Sequence, residues 1–121
     1  MTQEYTINPK RVMDREVAAR IFGIPVEVSE GTFDDRYFAP DPISGKPRSY
    51  PIPRFSSDLT ATWRVIERFR DWGSFVRLEA VPGGEWECVF HFRDRWVHGT
   101  DPVPSMAVCK AALAAFTGGE Q

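Results

Sequence analysis

Near the start of the chain Met13, Val17 and Ile21 recur at a spacing of four, with Ala18 beside Val17. This spacing places apolar side chains on one face of a helix. Asn8-Pro9 and Asp14 both offer caps for it, and Gly23 a stop. Ile24, Val26 and Val28 then alternate with Pro25 and Glu27, which predicts a short edge strand over 24–28, because proline lacks the amide an inner strand needs. From Ser29 to Phe55 the periodicity is lost. Pro40, Pro42, Pro47, Pro51 and Pro53 remove backbone donors and disfavour helix in the residue before each. The expectation is a long Pro-rich loop over 29–55, with room for a short strand at Tyr37-Phe38 and with Phe33, Tyr37, Phe38 and Tyr50 as anchors to the body.

Ser56-Ser57-Asp58 offers a cap for a second helix, whose apolar positions read as Leu59, Trp63, Ile66 and Phe69 and which Gly73 ends. Its opposite face, with Arg64, Glu67, Arg68 and Asp71, carries the mixed charge of a solvated surface. Period-two alternation follows. Val76, Leu78 and Ala80 alternate with Phe75, Arg77 and Glu79; after the turn at Pro82-Gly83-Gly84, Trp86, Cys88, Phe90 and Phe92 alternate with Glu85, Glu87 and His91. This predicts a hairpin with one apolar face, and a third strand over about 95–98 follows the short turn at Arg93-Asp94. The last helix is expected to begin near Asp101-Pro102, to turn Val108, Ala112, Leu113 and Phe116 inward, and to stop at Gly118-Gly119. Together these elements predict an α+β fold in which an antiparallel sheet of about three to four strands is flanked by helices, a helix/sheet/helix sandwich.

At 121 residues the chain has the size of one domain, and a hydrophobic share of 42% is enough to build its core. A net charge of −2 argues against broad nucleic-acid binding, which needs a clustered cationic excess. The sequence contains no apolar run long enough to cross a membrane and no signal-like start, so a cytosolic protein is expected. Cys88 and Cys109 form no Cys-x-x-Cys pair and read as buried free thiols.

Catalytic and metal signals are sparse. His91 and His98 bracket a turn and, if they faced each other across paired strands, would offer two ligands alongside Asp94 or Glu87, short of the three or four a metal site needs. Asp34-Asp35 and the alternating Glu85 and Glu87 are carboxylates with no base or nucleophile assigned to them. Ser56-Ser57 reads as a cap, and neither Gly83-Gly84 nor Gly118-Gly119 follows a phosphate-binding pattern. The expectation is therefore a binding protein without catalytic residues, metal or cofactor. Trp63 and Trp86 are assigned to the core. Trp72 and Trp96, close in sequence to Arg68, Arg70, Arg93 and Arg95, have the composition of an interface hot spot. Asp34, Asp35, Arg36, Tyr37, Lys46, Arg48 and Tyr50, in the Pro-rich segment, complete the expected partner-binding set.

The run Phe55–Glu67, FSSDLTATWRVIE, and the run Ala107–Leu113, AVCKAAL, together with the early helix ending in Gly23 and the strand containing Trp86-x-Cys88, resemble the phage ABA-sandwich domain family. These are cap and core residues, so the likeness implies a sheet between helical layers and transfers no catalytic residue. It further implies a small accessory protein of phage or prophage origin, working in the host cytoplasm on a host protein or complex. An inhibitor of host antiviral defence, such as an anti-CRISPR protein acting on a CRISPR effector, is one such role. The alternatives are a small-ligand or nucleic-acid-binding module, and a small metal-dependent enzyme.

Overall fold

The computed structural model describes residues 9–24 and 36–117. Helix α1 (Pro9–Phe22) opens on a proline, whose missing amide costs nothing in the first turn, and Gly23 follows it at φ 65°. Asp14 is not its cap. It lies inside the helix with no solvent exposure, where Arg11 Nη1 donates to its Oδ2 at 2.8 Å and the Ser56 amide donates to its Oδ1 at 2.8 Å. Arg11 also reaches the Ile52 carbonyl, and the Ser56 hydroxyl donates to the Lys10 carbonyl. A buried charge is tolerated only when paired and hydrogen-bonded, and here that network fastens α1 to the segment entering the second helix. The strand expected over 24–28 lies outside the described residues except for Ile24, as do Gly118 and Gly119.

The Pro-rich segment contains more structure than expected. Strands β1 (Arg36–Pro40) and β2 (Pro47–Pro51) pair antiparallel, with Pro40 opposite Pro47 and Pro51 opposite Arg36. The prolines occupy the end rungs of the ladder, where a missing donor does least harm. Between the strands, Asp41 accepts from the amides of Ile43 and Ser44 and from Arg48. The two amides and the guanidinium hold its carboxyl below the ordinary carboxylate range. Ile52 and Phe55, just past β2, are buried.

Helix α2 (Leu59–Asp71) begins at the expected cap, where Asp58 accepts from the Thr60 amide, and it ends at Gly73, with φ 83° and the Ser74 amide bonded to the Phe69 carbonyl. Its buried face is rotated from the one expected. Ala61, Thr62, Val65, Ile66 and Phe69 are buried, whereas Trp63 is 53% and Leu59 62% exposed. At about 100° per residue, Val65 and Phe69 sit at the middle of the buried arc and Leu59 and Trp63 to one side. Thr62 can occupy the core because its hydroxyl donates to the carbonyls of Phe55 and Asp58. Trp63 is therefore a surface residue.

Strands β3 (Phe75–Val81), β4 (Glu85–Phe92) and β5 (Arg95–Asp101) form an antiparallel sheet in the order β3-β4-β5. The third strand runs three residues beyond its expected end. Helix α3 (Pro104–Thr117) starts two residues later than expected, because Asp101 still belongs to β5 and its carboxylate accepts from the Val103 amide in the bend that enters the helix. The protein is thus an α+β fold with a helix-flanked antiparallel sheet. Cys88, Phe90, Phe92 and Val97 of the sheet share one buried cluster with side chains of all three helices. Phe69 stacks on Phe90 at 4.1 Å. Gly99 lets α3 approach closely, since a Cβ there would lie 2.6 Å from the Ala107 carbonyl oxygen and the Ala111 nitrogen. Trp86 is half-buried against the core. Cys88 and Cys109 are buried free thiols, and burial is the main cause that pushes Cys88 up to about 12.

Candidate functional site

Because strand side chains alternate between faces, residues of β3, β4 and β5 that point away from the helices fall into rows across the sheet. The pairing sets Phe75, His91 and Trp96 in one row, Arg77, Val89 and His98 in the next, then Glu79, Glu87 and Thr100. The first row is aromatic. The Trp96 ring lies 4.6 Å from the His91 ring and 5.6 Å from that of Phe75. Trp96 remains 63% exposed and Phe75 51%, so no described element covers this end of the sheet. Below it, Arg77 sits 3.4 Å from Glu79 and 3.6 Å from Glu87, and His98 Nδ1 lies 3.8 Å from Glu87. Aromatic rings left in water beside charged groups are the composition of an interaction surface.

His91 also lines an open cleft of about 610 Å³ formed with Arg20, Trp72, Phe92, Arg93, Asp94 and Phe116 around Gly73 and Ser74. The rings of Trp72, Phe92 and Phe116 stand 5.3–5.7 Å apart, and together they make an apolar wall. Arg68 lies over the rings of both Phe22 and Trp72 and donates to the Ile21 carbonyl; it holds α2 against the end of α1. Arg93 lies over Phe92 at 4.9 Å and over Phe116 at 5.6 Å. The expected turn at Arg93-Asp94 has both residues left-handed, with φ 53° and 61°, as a two-residue hairpin connection requires.

The expected binding residues divide among three places. Tyr37 and Tyr50 face each other across the β1–β2 hairpin with rings 5.6 Å apart. Arg48 lies over Tyr50 and pairs with Asp41 at 3.1 Å, and Lys46 is exposed in the same turn. Ile43, at the tip, is 97% exposed. Trp72 belongs to the cleft and Trp96 to the open face, and His91 joins the two. Asp34 and Asp35 lie outside the described residues, and for Arg36 only the backbone is described.

His91 and His98 are not opposite each other. His91 pairs with Trp96 and His98 with Val89, because the two-residue turn that pairs Phe92 with Arg95 sets the register two residues away from the one that would oppose the histidines. Among the described residues no three of His, Cys, Asp or Glu are grouped as metal ligands. Phe75 and Arg93 were not assigned to the site from sequence, although Phe75 was legible as an outward residue in an alternating strand. Arg93 was legible only as a charged neighbour of the interface tryptophans, since its stacking depends on Phe116 of a distant helix.

A helix-backed antiparallel sheet with one open, partly aromatic face is the class of protein that these features define. The model of the phage ABA sandwich domain matches residues 15–113, and the chain belongs to that family. The chain is also similar to a phage protein from Bacillus cereus ATCC 14579, known from a 2.0 Å crystal structure, with 20% sequence identity, a TM-score of 0.70 and coverage of 96% of this chain and 94% of that one. This likeness concerns the fold. Among curated proteins, none matches.

Proposed function

We propose that this phage-family protein acts by stoichiometric binding to a host protein and performs no chemistry of its own. The observation that carries this reading is the row Phe75–His91–Trp96, exposed on a sheet face that no described element covers. Large rings kept in water give up the stabilisation of burial, about 25 cal/mol per Å² of apolar area, and a partner that covers them recovers it. The Tyr37–Tyr50–Arg48 cluster of the hairpin, with Ile43 at its tip, is a second patch of the same composition. Inhibition of host defence, including anti-CRISPR activity on an effector complex, is the role that the phage family resemblance suggests for such a binder.

Affinity capture of the tagged protein from phage-infected and from CRISPR-bearing cells tests the reading, with a Phe75→Ala/Trp96→Ala variant alongside. The expected result is one stoichiometric protein retained by the parent and lost by the variant. Recovery of no stoichiometric protein, or equal recovery by a folded variant, contradicts it. Cleavage assays with a captured effector decide the anti-CRISPR arm.

A further inference from the structure

We propose that the cleft between Trp72, Phe92, Arg93 and Phe116 receives a glutamate or aspartate that stands beside an aromatic residue in a segment of the protein partner. This inference rests on the protein-binding reading and specifies what the partner presents. The cleft, at about 610 Å³, lies within the range of ligand-sized sites, and its wall of three rings suits an aromatic side chain in edge or offset contact.

Arg93 supplies the second half of the recognition. A two-residue hairpin turn favours Asn or Gly at its left-handed positions, where a long side chain such as arginine is strained. The turn alone therefore does not account for an arginine with φ 53°. Its guanidinium lies over Phe92 and Phe116, and among the described residues it makes no ion pair or hydrogen bond. A guanidinium held against two rings keeps its N–H donors for a carboxylate and loses little freedom on pairing. Arg20, the other cation of the lining, pairs among the described residues with Glu16 in an exposed helix pair, an interaction worth little. Against these two arginines the lining sets one carboxylate, Asp94. An extended polyanion is disfavoured because Glu79, Glu85 and Glu87 stand on the neighbouring sheet face. A single carboxylate on a protein segment meets no such repulsion.

The test is an NMR titration of the intact protein with the blocked tetrapeptide Gly-Glu-Phe-Gly, with its Gln analogue, and with an oligothymidine. Arg93→Gly is the matched variant, because glycine takes the left-handed turn without strain, so its melting temperature should equal or exceed the parent's. The Glu peptide should shift the Arg93 and Trp72 side-chain resonances saturably, the Gln peptide should bind at least tenfold more weakly, and Arg93→Gly should lose at least tenfold for the Glu peptide. No saturable shift with the Glu peptide, equal affinity for the two peptides, unchanged affinity in the variant, or tighter binding of the oligothymidine would each overturn the inference. If a captured partner is lost on Phe75→Ala/Trp96→Ala but held unchanged by Arg93→Gly, this inference fails while protein binding by the sheet face stands.

Discussion

Asp14 has no solvent exposure and satisfies both Arg11 and the Ser56 amide, so its removal strands a buried guanidinium and a backbone donor together. Breaking one side of a buried pair typically costs about 3–5 kcal/mol, a large part of a total of about 5–15 kcal/mol. Asp14→Ala should therefore unfold at a much lower urea midpoint, and a shift equivalent to under about 1 kcal/mol would show the network to be dispensable. Trp63 and Phe69 make the opposite comparison. Trp63 is half in water while Phe69 is fully buried among Phe90, Phe92, Trp72 and Phe116, so Trp63→Ala should cost less than about 1 kcal/mol and Phe69→Ala about 3–5 kcal/mol; equal costs in denaturant melts would contradict that burial. Cys88 sets an alkaline limit. Its thiol is raised from 9.0 to about 12 in the fold, chiefly by burial and secondarily by Glu87, so between those values the unfolded chain releases a proton that the native chain retains. That linkage leaves stability intact below pH 9 and removes it as pH rises toward 12. Cys88→Ala should lose less stability than the parent across this window, and identical slopes of unfolding free energy against pH would refute the assignment.

At the scale of elements, β5 and α3 fit closely at Gly99. An added methyl group would meet backbone atoms of α3 at 2.6 Å, and backbone cannot move aside as a flexible side chain can. Gly99→Ala is expected to cost more than about 3 kcal/mol, as severe overpacking does; a melting temperature within a few degrees of the parent would show that α3 can shift. Period-two alternation made β3 and β4 and their inward residues legible, and the cap at Asp58 and stop at Gly73 marked α2. The face of α2 was not legible. Trp63 and Leu59 advertise burial by hydrophobicity, whereas Thr62 gains its place through two carbonyls that only the folded chain brings to it. The β1–β2 hairpin was obscured for a related reason. Five prolines read as a loop until pairing shows that three of them stand on the terminal rungs.

For the molecule as a whole, the described helices bury side chains in a cluster with the inward residues of the sheet, and the aromatic end of the other face stays in water. Sequence alternation predicted a wet face, and the aromatic and arginine composition around Trp72 and Trp96 marked those two as interface residues. It did not join them, because their common neighbour, His91, borders Trp96 through strand register and reaches the Trp72 cleft through the packing of α2 and α3. The buried Asp14–Arg11 pair was likewise hidden, since Asp14 looks like a helix cap until its long-range partner Ser56 is known. The central claim is that the open face binds a protein through Phe75 and Trp96. Its most direct test is a calorimetric titration of the captured partner with the parent and with Phe75→Ala/Trp96→Ala, once both have been shown to melt alike. The account predicts one-to-one binding that weakens at least a hundredfold, about 2.7 kcal/mol, in the variant, and an affinity within twofold of the parent would contradict it.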